Sequence, residues 1–528
     1  MKPTNALVNP MLTDFYEITM AYAYWKARVH EEEAVFDLFF RKNPFRGEFA
    51  IYAGLEEKLR LFENFHFTED HIAYLKEQMP QCERGFFDWL KNVDCSKMKV
   101  YAMKEGTISF PREPLMRVEG PIAVAQLIET PMLTLTNYPS LMTTNAAKYR
   151  LTVGPDKGLI EFGLRRAQGP DGGVSASRYS YMGGFDGTSN VLAGYLFGIP
   201  IRGTHAHSYV QSFVGIEDLK DHTLAGADGK VHDFVKEVLE IRRGLGFNRT
   251  NEGELASFIA YAQAFPREFL ALVDTYDTLK SGVPNFVCVA LGLLKIGYRP
   301  LGVRLDSGDL SYLSRGTRRM LNEIGARTGS DLSKCLILAS NEINRSILNS
   351  LKQQGHDIDT FGIGTHLVTC DDQPAMGCIY KLVEARGIPR IKLSQELSKM
   401  TIPGKKEAYR LLGEDGYSLL DLMIRVGDKP PEPSKRVLCH HPLDPIKRIY
   451  VTPSKVIPLH HCVWDGERVS QEVPLKESRD YVLNQLRTTR EDYLRDINPT
   501  PYKVSVSEQL YNYVYDLWAE ELPVTELK

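Results

Sequence analysis

The chain has 528 residues, 43% of them apolar and 25% charged, which suits a globular protein able to bury a core without disulfide or metal staples. A formal net charge of −3 excludes a general attraction to nucleic acid or anionic membrane, and apolar stretches such as 286–294 fall short of the roughly 18–20 residues of a bilayer span. Eight scattered cysteines form no small-domain disulfide framework, and Pro3, Pro10, Asp14 and Glu17 interrupt any leader-like run. The expectation is a soluble, cytosolic enzyme of two to four domains.

In chain order, residues 35–40 read as a strand, 54–93 as helices and 99–119 as strand-rich, with turns at Pro111 and Pro114. Short strands are expected at 159–163 and 199–202, and the Gly/Pro-rich segment 168–173 is expected to be loop. From Leu301 the alternation becomes regular. A strand at 301–305 precedes a helix carrying Leu313, Met320, Leu321 and Ile324; a strand at 335–339, a helix at about 341–354 and a strand ending at Phe361 follow. These lengths fit parallel βαβ units. The fold class is therefore α/β, with an α/β barrel over 136–395 and the remaining segments, 1–135 plus 396–528, outside it. Segment 427–434, with three prolines, reads as a linker.

In such a sheet, ligand groups sit in the loops after strand C-termini. The first of these loops holds Arg165 and Arg166; being adjacent, at most one of them faces a pocket. The second, Gly203-Thr204-His205-Ala206-His207-Ser208, offers two histidines that read as a metal pair, a general base or a phosphoryl-accepting nucleophile. No nearby cysteine or carboxylate completes a zinc site, so metal is the weakest of the three. Asp306-Ser307-Gly308-Asp309 supplies two carboxylates for Mg²⁺ or ribose hydroxyls, or else Asp309 caps the next helix. Arg304, on the strand before them, asks for an anionic partner, either a ligand or one of those aspartates. Gly362-Ile363-Gly364-Thr365 is either a phosphate cradle or an ordinary turn. Cys439-His440-His441 and His460-His461-Cys462 carry six potential zinc ligands, but adjacent strand residues face opposite ways, so ordinary strand and turn residues are the expectation there.

Several strings taken together resemble the nicotinate phosphoribosyltransferase family. They are Thr13-Asp14-Phe15-Tyr16-Glu17, Glu129-Thr130-Pro131 with Asn137-Tyr138, Glu161-Phe162-Gly163-Leu164-Arg165-Arg166, the Gly203–Ser208 and Arg304–Asp309 loops, Ile363-Gly364-Thr365-His366-Leu367-Val368-Thr369, Tyr380-Lys381-Leu382 and Lys399-Met400-Thr401-Ile402-Pro403-Gly404-Lys405. The resemblance covers roughly 8–415 and fades after about Leu420. It implies an irregular, type II phosphoribosyltransferase-like α/β barrel with a mixed α/β domain built from both chain ends. It also implies the reaction: nicotinate and phosphoribosyl pyrophosphate give nicotinate mononucleotide and pyrophosphate, coupled to ATP hydrolysis, with Mg²⁺ or Mn²⁺, in a homodimer with shared sites. By resemblance, His207 is the phosphohistidine, Tyr16, Thr204 and Arg304 contact nicotinate, and Gly364 with Thr365 holds the ribose 5-phosphate. Asp306 holds sugar or metal, with Asp309 as a second metal ligand, and Arg165 and Ser208 complete the substrate contacts. Nicotinamide-using relatives carry an aspartate where this chain has His205. A nicotinamide- or quinolinate-using transferase, or a non-enzymatic nucleotide-binding barrel, are the alternatives.

Overall fold

The strand–helix alternation read from the sequence forms a six-stranded, wholly parallel sheet. Its order is Leu270–Leu272, Gly302–Leu305, Leu336–Ala339, Thr360–Ile363, Gly158–Glu161 and Gly187–Thr188. The structure, a computed structural model, describes residues 1–391 and 401–521; Lys399 and Met400 of the last string above lie outside the described residues. Helices Glu252–Ala264, Val283–Lys295, Leu310–Thr328 and Arg345–Gln354 belong to the same unit as this sheet. Each starts on a polar turn: Asn251, Asp309 and Asn344 accept the N3 amide as N-caps, and Asp277 caps the π turn Thr278–Gly282 that leads into Val283. Val283–Leu293 is buried throughout, and the helix meets the sheet closely because Gly282 has no Cβ; one there would stand 1.8 Å from the Val273 carbonyl oxygen.

The chain divides into two compact units, Lys148–Ser177 with Phe185–Thr369, and Met1–Ala147 with Arg178–Gly184 and Cys370–Lys528. The second unit holds a six-stranded antiparallel sheet in the order Ile388–Pro389, Cys378–Ala385, Glu33–Phe40, Met116–Pro121, Lys99–Met103 and His460–Asp465. A mixed sheet follows the order Arg448–Val451, Val437–His440, Val504–Ser507, Ser418–Arg425, Lys406–Leu412 and Lys455–Pro458. Both chain ends thus build one mixed α/β unit. Its division from the other falls elsewhere than at 135/136 and 395/396: helix Glu129–Val153 runs through the first boundary, and Cys378–Ala385 pairs with Glu33–Phe40 rather than with the parallel sheet.

Three local expectations are corrected. Segment 168–173 is not loop, because the helix Gly169–Met182 starts there. Pro170 suits a first turn whose amides have no intrahelical acceptor, and Gly173 packs on Leu164, where a Cβ would lie 2.8 Å from Cδ1. Segment 199–202 contributes only an isolated parallel bridge, Thr188 to Ile201; the strand is Gly187–Thr188. Segment 427–434 joins Ser418–Arg425 to Val437–His440, two strands of one sheet, so it links no domains.

Candidate active site

The C-terminal ends of the parallel strands gather the polar residues. Asp274 and Thr275 follow Leu270–Leu272, Asp306 and Ser307 follow Gly302–Leu305, Ser340 follows Leu336–Ala339, Gly364 and Thr365 follow Thr360–Ile363, and Phe162 follows Gly158–Glu161. Beneath Phe162, Glu161 is fully buried and accepts hydrogen bonds from Ser177 Oγ at 2.7 Å, Thr188 Oγ1 at 2.5 Å and the Gly163 amide. A satisfied buried carboxylate of this kind fixes the geometry of the turn it sits in.

His207 opens the short helix His207–Gln211. Its Nε2 lies 3.8 Å from Asp274 Oδ1 and 3.8 Å from Asp306 Oδ2, and its Nδ1 lies 3.1 Å from Thr275 Oγ1. Two carboxylates on one side favour the tautomer protonated at Nε2, leaving the Nδ1 lone pair to accept the Thr275 hydroxyl. Asp274 is itself fixed: Oδ2 accepts the Asp306 amide at 3.0 Å and the Ser307 hydroxyl, while Oδ1 is buried without a hydrogen-bond partner among the described residues. Behind it, burial raises the Glu254 carboxyl to about 7, and Ser281 at 2.6 Å and Asn285 at 2.9 Å donate to Glu254 Oε2.

His205 takes no such position. It lies among the rings of Tyr209, Phe258 and Tyr261, and its Nε2 accepts the Leu272 amide at 3.4 Å. Burial pushes its pKa down to about 4, so it is neutral.

Arg304 is held along one edge. Its Nε donates to Ser340 Oγ at 2.9 Å and its Nη2 to Asp306 Oδ1 at 3.1 Å, and Ser340 Oγ in turn donates to Asp306. Nη1 makes no hydrogen bond among the described residues. The guanidinium stands 5.2 Å from the Phe162 ring centroid, and that ring occupies space that only a glycine at 362 leaves, since a Cβ there would be 2.4 Å from Cδ2. The next loop is strained, with Asn341 at φ 94° and Glu342 at φ 46°.

The other expected residues are placed differently. Among the described residues, Thr204 Oγ1 reaches only the His205 carbonyl, at 3.5 Å. Arg165 and Arg166 lie in the exposed turn Leu164–Arg166, and Ser208 is exposed on the turn that begins at His207. Asp309 Oδ1 accepts the Tyr312 amide at 2.9 Å, so it serves as the cap. Tyr16 belongs to the other unit, on helix Phe15–Lys26, where burial and the neighbouring Glu129 and Glu17 carboxylates raise its phenol. The Cys/His strings fall on strands of two different sheets, and no metal-holding group of three or more His, Cys, Asp or Glu occurs among the described residues. Sequence reasoning missed Asp274, Thr275 and Phe162. The signal for the first two was Asp274-Thr275-Tyr276-Asp277, a polar run directly after an apolar strand.

Two family models match: the nicotinate phosphoribosyltransferase N-terminal domain over residues 11–137 and the C-terminal domain over 405–514. Nicotinate phosphoribosyltransferase from Dictyostelium discoideum is 52% identical, across 100% of this chain and 91% of its own length. The Homo sapiens enzyme of that name is 43% identical, across 98% of each chain. The crystal structure of human nicotinic acid phosphoribosyltransferase superposes with a TM-score of 0.86 at 40% identity, covering 96% of this chain and 100% of that one. A Pyrococcus furiosus nicotinate-nucleotide pyrophosphorylase shares the fold at 19% identity with a TM-score of 0.61. With identity this high along its full length, the chain belongs to the nicotinate phosphoribosyltransferase family.

Proposed function

We propose that this chain catalyses transfer of the phosphoribosyl group from phosphoribosyl pyrophosphate to nicotinate. The nicotinate nitrogen attacks the anomeric carbon, the bond from that carbon to pyrophosphate breaks, and nicotinate mononucleotide and pyrophosphate leave. The ring nitrogen carries no proton at neutral pH, so the site needs orientation and electrostatics rather than a general base. The observation that carries the substrate reading is Arg304, whose outer nitrogen Nη1 stands beside a ring face at a strand end. Nicotinate's carboxylate suits that nitrogen and its ring suits Phe162. Thr204, Arg165 and Ser208 join as further substrate contacts, Tyr16 serves the partner subunit's pocket as a substrate contact in the homodimer, and Gly364 with Thr365 receives the 5-phosphate.

ATP coupling rests on His207. With Nε2 facing two carboxylates at 3.8 Å, Nδ1 is the nucleophilic nitrogen: it attacks the terminal phosphorus, ADP leaves, and Asp274 and Asp306 stabilise the imidazolium at Nε2. Water later attacks that phosphorus, the Nδ1–P bond breaks, phosphate leaves and the neutral ring returns. Asp306, together with Asp274, whose Oδ1 faces His207 Nε2 at 3.8 Å but makes no hydrogen bond among the described residues, would hold a hard cation such as Mg²⁺ or Mn²⁺ alongside substrate phosphates, and that cation would neutralise charge at the leaving group. Asp309, spent as a cap, is the weaker ligand.

The parallel sheet is read as the irregular barrel of type II phosphoribosyltransferases. Support comes from residues 201–205, which pair with one edge strand through Ile201 and approach the other through His205. A homodimer with shared sites is supported by the helix Val191–Phe197, which exposes Val191 (66%), Leu192 (53%) and Tyr195 (85%). Cytosolic residence is supported by eight unbridged cysteines. No helix among the described residues is long and apolar enough to cross a membrane. The deciding experiment is a product assay with nicotinate and nicotinamide side by side, with and without ATP. Nicotinate mononucleotide, formed faster with ATP, is the expected result; equal use of nicotinamide would overturn the substrate reading.

A further inference from the structure

The unit that contains both chain ends holds a second concavity, of about 560 Å³, between Phe110, the 441–449 segment and the start of strand Val504–Ser507. That volume is in the range of small-molecule sites. Its lining is divided: Ile446, Ile449 and Tyr502 give it an apolar wall, and Arg112, Lys447, Arg448 and Lys503 surround it with cations. Lys447 is engaged by Asp444 at 3.1 Å, but Arg448 and Lys503 form no ion pair with a described residue.

The backbone brings these charges together. Arg448 opens an edge strand, and Lys503 immediately precedes Val504–Ser507 in the same sheet. Arg112 is fixed at φ 75°, with its amide bonded to the Phe40 carbonyl at 2.8 Å. Burial and the adjacent Arg41 guanidinium hold Arg112 below the ordinary arginine range. Collecting like charges in a half-buried concavity costs free energy that a bound anion offsets. The carboxylate on the wall, Glu48, is pushed up by burial, which weakens it as a counter-charge. Tyr502 is preorganised: its ring stacks on Phe110 at 3.5 Å and its hydroxyl donates to Asp421 at 2.9 Å. Asn43 Oδ1, also on this wall, is buried and has no hydrogen-bond partner among the described residues.

We propose that this concavity is a nucleotide-binding site distinct from the active site, taking phosphate on Arg112, Arg448 and Lys503 and the base along the Tyr502–Ile449 wall, with Asn43 accepting from a base amino group. Arginine's fork and a flat apolar wall are the pairing that a phosphate joined to a ring requires.

The test is calorimetric titration of the full chain with AMP, inorganic phosphate and adenosine, on wild type, Arg448→Glu/Lys503→Glu and His207→Ala. Both reversed residues are exposed, so the fold and the turnover of nicotinate without AMP should be unchanged. The expected result is AMP binding that weakens at least tenfold in the double variant and persists in His207→Ala, with adenosine and phosphate each at least tenfold weaker than AMP on wild type. Unchanged AMP affinity in the double variant, loss of all AMP binding in His207→Ala, or no AMP binding at millimolar concentration would each overturn the site. Phosphate binding as tightly as AMP would overturn the nucleotide assignment.

Discussion

Arg304 and Asp306 form an ion pair at 3.1 Å that uses only one edge of the guanidinium. The pair does not neutralise Arg304 as a substrate contact, because Nη1 stays outside it, and Asp306 is itself turned toward His207 through its other oxygen. Arg304→Ala should therefore raise the KM for nicotinate about 10- to 100-fold, the effect of losing a charge-assisted hydrogen bond of about 1.5–3 kcal/mol. The KM for phosphoribosyl pyrophosphate should move far less. Arg304→Lys should fall between, since it keeps the charge and loses the fork. Wild-type nicotinate kinetics in Arg304→Ala would remove Arg304 from the site.

His207→Ala should abolish ATP hydrolysis and acid-labile protein phosphate while leaving slow, uncoupled transfer. Thr275→Val is the subtler probe. It removes the hydroxyl 3.1 Å from Nδ1 and leaves the carboxylates at Nε2, so it should change the rate of phosphorylation more than its extent. Phosphorus spectroscopy of the charged enzyme separates Nδ1 from Nε2 phosphohistidine. Phosphate on Nε2 would contradict the tautomer argument.

The sequence disclosed most of this site because strand-end loops carry unusual residue types. Arg304, Asp306 and His207 stand out wherever a strand–helix alternation places them after a strand. Asp274 escaped notice because its strand, Leu270–Leu272, is three residues long and sits inside an apolar run with no period of its own. That Phe162 supports a guanidinium depends on Gly362 of the neighbouring strand, which pairs with Ile160 and leaves room for the ring, and no local pattern reveals this. The helix at Gly169–Met182 was hidden by its glycines and Pro170: Gly173 is set by packing on Leu164 and Pro170 by the free amides of a first turn, neither of which propensity reveals.

Chelation should remove activity that Mg²⁺ or Mn²⁺ restores. Asp274→Asn should weaken the apparent metal affinity and, by removing a charge from His207, lower ATP hydrolysis by a larger factor than basal transfer. A variant with wild-type metal dependence would exclude Asp274 as a ligand, whereas its effect on ATP hydrolysis tests the imidazolium role by itself. Restoration by Zn²⁺ alone would point to a different ligand set.

Acid stability should depend on His460. This ring is buried between two backbone groups: Nδ1 accepts the Ala408 amide at 3.2 Å, and Nε2 donates to the Pro114 carbonyl at 2.5 Å. That arrangement needs one proton, at Nε2; a second, at Nδ1, would oppose the Ala408 N–H. Burial, with the Arg117, His461 and Lys406 charges adding to it, pushes the pKa down to about 4. An unfolded histidine titrates near 6.5, so between roughly pH 6.5 and 4 the unfolded chain binds the extra proton and the folded one does not. Stability contributed by the neutral ring is thus fully present above pH 6.5 and is lost as pH falls toward 4. At about 1.4 kcal/mol per pH unit, the loss is of order 3 kcal/mol. His205, also held near 4, adds a loss of the same sign in the other unit, so His460→Gln should remove only part of the acid sensitivity. Urea midpoints of wild type and His460→Gln should converge as pH falls from 7.5 to 4.5, with the variant less stable at the upper end and the gap closing below pH 6.5. A gap that stays constant across this range would show that His460 does not titrate differently in the folded and unfolded chain.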